Sequence, residues 1–338
     1  MQVSHLGHIE ILSPKFEQTV AFFKDLIGLE ETTRTPDSVY LRAWGDWDLY
    51  TLVVTRAAHA GMVKMGVQVR TAADLRELAQ QLEAAGQPYR SVAAGTFLGL
   101  GEALHTRLPG GQLLEIYAEK ESYQAPVEKQ SKLINQPQKP TFRGANAYAF
   151  DHINLLTNDV SANREWLETF LGIQHREGLL LDDDTVEGGA WMSWNSRVHD
   201  LALMKDPTGG TGRLHHLCYY LENRDDLLRA ADVLAESDIR LEAGPGKHGI
   251  TQAFFLYCIE PGGNRVELFS GGYHIHRPNW KPVIWGKDNL ERSIVWWGSP
   301  LPETFFVYGT GEPEPKATHA AEPVTANAQT LSAASGRR

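Results

Sequence analysis

The chain of 338 residues has few cysteines, no excess of basic residues and no long apolar run. Its two cysteines, Cys218 and Cys258, lie in apolar stretches, which excludes a disulfide-rich secreted scaffold and predicts two buried reduced thiols. One disulfide between them is the only bridge that the chain could form. Lys and Arg number 32 against 42 Asp and Glu, a net charge of -10 that argues against a nucleic acid or an anionic membrane as a partner.

The sequence also lacks the signals for membrane insertion and for secretion. No segment approaches the ~18 consecutive apolar residues of a membrane span. The N-terminal stretch "MQVSHLGHIEIL" has neither the basic start nor the small-residue cleavage site of a signal peptide. We therefore expect no membrane association and a cytoplasmic location.

The sequence contains two kinds of repeated unit. The stretch "HLGHIEILSPKFEQTVAFFKDLIGLEE" from His5 is echoed by "AFDHINLLTNDVSANREWLETFLGIQH" from Ala149, and both have an alternating strand followed by a helix that ends at a glycine. The stretch "VKMGVQVRTAADLRELAQQLEAAG" from Val63 parallels "LHHLCYYLENRDDLLRAADVLAESD" from Leu214. Each of this second pair is followed by a Pro-Gly-Gly turn and a further alternating strand. The pattern predicts four βαβββ modules, paired two and two.

This organisation predicts an α+β fold in which the modules form two domains, each with a sheet curled around a cavity. A polar, proline-bearing stretch between the pairs has no sustained period and is typical of a linker. The expected division is an N-terminal domain over 1–120, a linker over 121–146, a C-terminal domain over 147–272, a tryptophan-rich packing segment over 273–308 and a disordered tail over 309–338.

Polar side chains interrupt three otherwise apolar strands of the second half. His152 in "AFDHINLL" lies on the apolar face of its strand under a period of two. Glu267 in "GNRVELFSG" is a carboxylate among apolar residues, and burying it requires a cation or a metal ion. Of the adjacent pair His215 and His216 only one can share a face with the other two, because neighbouring strand residues point to opposite faces, and the pattern does not say which.

Each of these residues alone has an ordinary interpretation, because a single strand histidine is more often a core group than a ligand. Together they predict a metal site. Two imidazoles and one carboxylate from three strands form a facial triad, which leaves positions of an octahedral ferrous ion open for substrate and dioxygen.

The spacing of His152, His216 and Glu267, with the phrases "DHINLL", "RLHHLCYYLE" and "YCIEPGGNRVELFSGG", resembles the two-domain extradiol ring-cleaving dioxygenases. The similarity is greatest to the catechol 2,3-dioxygenases of the vicinal oxygen chelate superfamily and covers about residues 7–285. The resemblance implies domains of the glyoxalase/bleomycin-resistance type and His216, not His215, as the ligand. It also implies a homotetramer that uses Fe(II), with Mn(II) as the alternative ion, to cleave catechol or alkylcatechols with O2 adjacent to the diol, giving 2-hydroxymuconic semialdehyde-type products.

The resemblance further assigns roles to His199 in "SRVHDLAL", His248 in "GKHGIT" and Tyr257 in "FFLYCIEPGG". In the family the first lies beside bound oxygen, and the other two bond the substrate oxygens. A catechol must lose protons to chelate a metal, so a neutral imidazole serves as a general base and a phenol as a hydrogen-bond donor. Without the resemblance, the three are a strand-edge histidine, a loop histidine and a core tyrosine.

The first half keeps part of the same pattern. His8 and Glu115 fall where His152 and Glu267 fall, but "VKMGVQV" around Met65 contains no imidazole for the third position. We therefore expect the first half to be metal-free and structural, with one metal ion per chain.

Three other functions share parts of the pattern. A 2-oxoacid-dependent oxygenase of the 4-hydroxyphenylpyruvate dioxygenase type has the same triad and modules, whereas a glyoxalase-like isomerase needs four ligands spread over both halves. A metal-free binding module of the bleomycin-resistance type leaves the triad unexplained, and a bound-metal assay separates it from the enzyme. The phrases around His199, His248 and Tyr257 favour the extradiol interpretation.

Overall fold

The polypeptide folds into two mixed β-sheets with a small number of helices. The structure is a computed structural model that describes residues 3–311. Residues 312–338, most of the predicted disordered tail, lie outside the described residues. No helix in the described range is long and apolar enough to cross a lipid bilayer.

The first sheet has eight strands. They are β1 (Val3–Ser13), β2 (Glu30–Arg34), β3 (Ser38–Arg42), β4 (Leu52–Arg56), β5 (Gly61–Val69), β6 (Tyr89–Val92), β7 (Ala103–Arg107) and β8 (Leu113–Tyr117). Their order across the sheet is β2-β3-β4-β1-β5-β8-β7-β6.

The second sheet has nine strands. They are β9 (Ala149–Thr157), β10 (Gln174–Leu181), β11 (Val186–Ser193), β12 (Leu201–Lys205), β13 (Arg213–Tyr220), β14 (Leu241–Lys247), β15 (Ala253–Ile259), β16 (Arg265–Gly271) and β17 (Val283–Trp285). Their order is β14-β15-β16-β13-β9-β12-β11-β10-β17.

Each module contributes one main helix. The helices are α1 (Phe16–Ala21, continued as a π-helical turn over Phe22–Ile27), α2 (Ala72–Ala84), α3 (Val160–Leu171), α4 (Arg224–Glu236) and the short α5 (Glu303–Val307) near the C-terminus. Short 3-10 turns lie at Val127–Lys129 and Leu290–Arg292. The observed order confirms the predicted α+β class and the four βαβββ modules, whereas the domain boundaries drawn from the sequence stay a prediction.

Two modules join at their first strands to make each sheet. Strand β1 pairs antiparallel with β5, and β9 pairs antiparallel with β13. The glycines predicted to end α1 and α3 adopt left-handed backbone conformations, with φ of 94° at Gly28 and 61° at Gly172. A Cβ on Gly28 would also lie 2.4 Å from the carbonyl oxygen of Arg143, so glycine is required there for space as well as for φ.

Matching hydrogen bonds connect the two halves. The amide of Gln112, in the Pro-Gly-Gly turn of the first half, donates to the backbone carbonyl of Leu156 at 2.7 Å. The amide of Asn264, in the corresponding turn of the second half, donates to the carbonyl of Leu12 at 3.0 Å. The repeated turn therefore serves the same purpose twice, holding each half against the first strand of the other.

A buried carboxylate, Glu115, lies at the centre of a polar cluster in the first sheet. Its oxygens are 2.6 Å from Lys64 Nζ, 2.8 Å from His105 Nε2 and 3.0 Å from His8 Nε2. These interactions hold the pKa of Glu115 well below its usual range even though burial acts in the opposite direction. The carboxylate is therefore charged and is compensated by a buried ammonium group.

The register places Lys64 where the second half has a histidine. Glu115 faces Gly66 on β5, and Glu267 faces Cys218 on β13. Two residues before each of these partners lie Lys64 and His216, respectively. The third position that lacked an imidazole in the sequence thus holds the side chain of Lys64, which contacts Glu115. That the first half is metal-free stays a prediction, and this contact agrees with it.

Replacing Lys64 with Met should lower the free energy of unfolding by about 3 kcal/mol, because the charged carboxylate of Glu115 would stay buried without its cation. Chemical denaturation measures the change. The double variant Lys64→Met/Glu115→Gln removes both charges and should recover most of the loss. A single variant as stable as the wild type would contradict the assigned pairing.

Acid should destabilise the protein through the same cluster. Burial, with Lys120 nearby, lowers the pKa of His8 to about 4. An unfolded chain binds this proton at its ordinary pKa of about 6.5, so the contribution of His8 to stability is complete above that pH and falls by about 3 kcal/mol as the pH drops from 6.5 to 4. Urea denaturation at pH 7 and pH 4.5 should show a smaller decrease in His8→Gln than in the wild type, and equal decreases would contradict this linkage.

Candidate metal centre

The three predicted metal ligands lie on adjacent strands in the middle of the second sheet. His152 is on β9, His216 on β13 and Glu267 on β16. Glu267 Oε2 is 3.0 Å from Nε2 of each histidine, and the two Nε2 atoms are 3.3 Å apart. The three side chains are buried, and their donor atoms all lie within 4.8 Å of one another.

A local irregularity in β13 explains how two adjacent histidines are accommodated. The pairing of β13 with β9 shifts register between Leu214 and His216, so that His215 has no direct partner on β9. Such a bulge changes the direction of the side chains beside it. His216 joins the triad, and His215, expected on the opposite face, is only 1% exposed and therefore contacts protein rather than solvent.

The triad carries one negative charge and one bound proton. Against the effect of burial, the hydrogen bond that His152 donates holds the pKa of Glu267 well below its usual range. Also against burial, hydrogen bonds to Asp151 and Glu267 raise the pKa of His152 to about 9, whereas burial lowers that of His216 to about 4. The carboxylate is thus compensated by a proton on His152, which a bound cation would displace.

The far ring nitrogen of His152 also has a polar partner. His152 Nδ1 donates to Asp151 Oδ1 over 2.7 Å, and Asp151 forms an ion pair with Arg197. A ligand histidine whose other nitrogen bonds a carboxylate keeps its orientation and becomes a better donor. Asp151 was not among the predicted site residues, although its place directly before His152 in "DHINLL" was a usable signal.

These residues fit a divalent transition-metal ion. Two imidazole nitrogens and one carboxylate come from three strands, and the remaining side of the triad opens on a cavity of about 30 Å³. Imidazole and carboxylate together suit iron and manganese alike. The donor set alone does not choose between the two ions.

His248 and Tyr257 lie together beside Glu267. His248 Nδ1 donates to the backbone carbonyl of Ile294, so in the neutral ring Nε2 carries the lone pair. That nitrogen accepts a hydrogen bond from the Tyr257 hydroxyl at 3.1 Å and lies 3.7 Å from Glu267 Oε1. A proton acceptor and a hydroxyl donor therefore face the triad.

His199, two residues before β12, lies on the other side of the triad. Its ring centroid is 4.0 Å from that of His152. Burial and the neighbouring His152 hold the pKa of His199 well below its usual range, so the ring is neutral. Its Nδ1 atom is buried without a hydrogen-bond partner in the described part of the chain, as expected of a group that awaits a ligand.

All six predicted site residues line the same small cavity, and nine further residues complete it. The additional wall is mainly apolar and consists of Trp191, Ala202, Met204, Ile250, Phe269, Ile294 and Phe305, with the polar Asn154 and Thr251. Ile294 and Phe305 come from the segment 273–308, for which the sequence predicted packing alone. No pattern in the sequence signals their approach, because they lie far along the chain from the triad.

A larger cavity of about 830 Å³ adjoins the first. Met204 and Ile294 line both cavities. Most of the other lining residues are apolar, with Lys205, Asp182 and Glu291 also present, and many come from the segment after residue 289. The site therefore has a hydrocarbon-lined extension on the side of β12.

Comparison with known proteins identifies the family. Residues 149–268 match the Glyoxalase/Bleomycin resistance protein/Dioxygenase superfamily, and residues 62–121 match the Catechol 2,3-dioxygenase-like N-terminal domain. A manganese-dependent 2,3-dihydroxybiphenyl 1,2-dioxygenase from Geobacillus genomosp. 3 is 42% identical over 302 residues, which are 89% of this chain and 95% of that protein. A metapyrocatechase from Geobacillus stearothermophilus is 37% identical over 310 residues, 91% of this chain and 94% of that protein.

A solved structure indicates the same family as these relatives. The 2,3-dioxygenase LapB from Pseudomonas sp. KL28 is similar with a TM-score of 0.79 and 30% identity, over 85% of this chain and 99% of that one. The chain therefore belongs to the two-domain extradiol ring-cleaving dioxygenases of the vicinal oxygen chelate superfamily.

Proposed function

We propose that this protein is a metal-dependent catechol 2,3-dioxygenase. It opens catechol and alkylcatechols with O2 at the bond adjacent to the diol and forms 2-hydroxymuconic semialdehyde-type products. The observation that supports this most directly is the convergence of His152, His216 and Glu267 within 4.8 Å, next to the hydrogen-bonded pair His248 and Tyr257.

In this proposal the triad holds one Fe(II) per chain, with Mn(II) as the alternative because one relative is named a manganese-dependent enzyme. A metal ion held there lowers the pKa of the bound diol and brings the diol and O2 together. Everything else is done by the protein's own side chains, which bind the diol, accept its protons and exclude water.

His248 is the proposed general base. Its Nδ1 atom donates a hydrogen bond to the carbonyl of Ile294, so the lone pair of the neutral ring is on Nε2. This lone pair faces the cavity and can accept a proton from a catechol hydroxyl. The Tyr257 hydroxyl already bonds this nitrogen at 3.1 Å. When a diol enters, Tyr257 can donate the same hydrogen bond to the deprotonated substrate oxygen, which stabilises its negative charge.

His199 is the proposed proton donor and acceptor on the opposite side. The ring is buried and neutral, and its unpartnered Nδ1 atom belongs to a residue that lines the cavity. A neutral imidazole in this position can bond an oxygen atom of the second reactant and later transfer a proton to it. His199 and His248 thereby divide the proton transfers between two sides of the cavity.

The cavity walls support an aromatic substrate with a small apolar substituent. Trp191 and Phe269 provide flat apolar surfaces near the triad. A substituent that points past Met204 and Ile294 would enter the larger apolar cavity instead of water. The alternative of a 2-oxoacid-dependent oxygenase is not favoured, because the relatives and the solved neighbour described above are extradiol enzymes.

The proposal predicts ring cleavage by the metal-loaded protein. Apoprotein loaded anaerobically with Fe(II), and in parallel with Mn(II), is mixed with catechol or 4-methylcatechol and air, and the yellow ring-fission product is followed by absorbance. We expect product with one of the two ions at least. Glu267→Gln should reduce both bound metal and rate by more than about 100-fold, because it removes a ligand.

The control for this experiment changes the equivalent carboxylate in the first half. The double variant Lys64→Met/Glu115→Gln changes the equivalent carboxylate of the first half and should keep one metal ion per chain and the wild-type rate. A colourless mixture with both ions, or an unimpaired Glu267→Gln, would refute the proposal.

A further inference from the structure

His215 is a buried histidine to which no role has been assigned, although it touches the candidate ligand His216. It lies on β13 with 1% of its surface exposed. Its Nε2 atom is 2.6 Å from the backbone carbonyl oxygen of Phe305 in α5, and its Nδ1 atom is 2.7 Å from His216 Nδ1. Both ring nitrogens therefore make short polar contacts, one on each side.

The chemistry of these contacts determines where the protons lie. A carbonyl oxygen only accepts, so His215 Nε2 must carry hydrogen, and in a neutral ring Nδ1 is then an acceptor. Two nitrogens 2.7 Å apart need one proton between them, so His216 Nδ1 is the donor. His216 Nε2 is then left with its lone pair and can accept a hydrogen bond from His152 Nε2 at 3.3 Å. Glu267 Oε2, 3.0 Å from His216 Nε2, is a second acceptor, so a cation between the two atoms would stabilise both.

The surroundings favour a neutral ring at His215. The buried guanidinium of Arg265 donates to the backbone carbonyl of His215 at 3.2 Å, and it also bonds the carbonyls of Thr304 and Tyr308 at the two ends of α5. A second buried cation beside it would be costly. The carboxylate of Glu242 is already paired with Arg265, at 2.6 Å.

We propose that His215 is a positioning residue that holds His216 in the tautomer with its lone pair on Nε2, and that α5 sets this arrangement through the carbonyl of Phe305. The proposal rests on the metal-dependent function proposed above. It parallels the contact of Asp151 with His152, with an imidazole in place of the carboxylate. Docking of the C-terminal helix is then part of building the metal site, as well as part of its wall.

The affinity of the apoprotein for Mn(II) tests the proposal and requires no catalytic activity. Mn(II) alone is titrated into apoprotein, and free Mn(II) is measured by its EPR signal. His215→Leu removes the acceptor for His216 and should weaken binding by roughly 10- to 100-fold, the usual effect of losing such a supporting hydrogen bond. His215→Asn can place an amide oxygen near the position of Nδ1 and should bind within about threefold of the wild type, because it restores that acceptor.

A matched control separates positioning from general loosening of the C-terminal segment. The Tyr308 hydroxyl donates to the carbonyl of Gly263 at 2.6 Å, away from the histidine pair. Tyr308→Phe should therefore lower thermal stability without changing Mn(II) affinity. Unchanged affinity in His215→Leu, or equal losses in the Leu and Asn variants, would overturn the proposal.

The tautomer itself provides a test that needs no measurement of metal binding. Long-range proton–nitrogen NMR on histidine-labelled wild-type apoprotein distinguishes a ring protonated at Nδ1 from one protonated at Nε2, with His216 assigned by comparison with His216→Gln. Hydrogen on Nδ1 of His216 is expected, and hydrogen on Nε2 would overturn the proposal. A wild-type protein that binds neither Mn(II) nor Fe(II) would instead refute the proposed function, which this spectrum does not test.

Discussion

A carboxylate buried in the middle of a β-sheet needs a positive charge beside it, and the two halves of this protein meet that need with different residues. In the first half Lys64 supplies an ammonium group to Glu115 at 2.6 Å. In the second half Glu267 contacts imidazoles, and a proton on His152 supplies the charge until a cation does so. Where the first half has Lys64 the second has His216, and where the first has His105 the second has Tyr257. These two differences between equivalent positions separate a buried ion pair from the candidate metal centre.

In the second half each candidate ligand histidine has polar partners at both ring nitrogens. Each candidate ligand histidine turns one nitrogen toward Glu267 and the other toward the residue before it, the acceptor Asp151 for His152 and the proposed acceptor His215 for His216. The acceptors come from the same strands as the ligands, directly before them in sequence. The strand that places each candidate ligand therefore also places the residue that supports it.

The C-terminal segment packs against the candidate site of the second half and forms part of its wall. Ile294 holds His248 through its carbonyl and lines both cavities, and Phe305 lines the smaller cavity while its carbonyl accepts from His215. Arg265 anchors the segment by bonding two of its carbonyl oxygens. The small cavity beside the triad is closed on this side by protein, which excludes water from the place where the diol and O2 react in the proposed function.

The amino-acid sequence by itself determined the modules, because periodic apolar residues, glycine helix ends and Pro-Gly-Gly turns are local signals that recur four times or in pairs. It also indicated the triad, because a charged or imidazole side chain on an apolar strand is conspicuous without any knowledge of the fold. Family resemblance was needed to choose His216 over His215, since alternation within a strand treats the two equally. Only the tertiary structure decided that Lys64 takes the third position of the first half, that His215 is buried against α5, and that Ile294 and Phe305 reach the cavity. These are contacts between residues far apart in the chain, and they depend on strand register and on the path of the C-terminal segment, neither of which leaves a periodic signature in sequence.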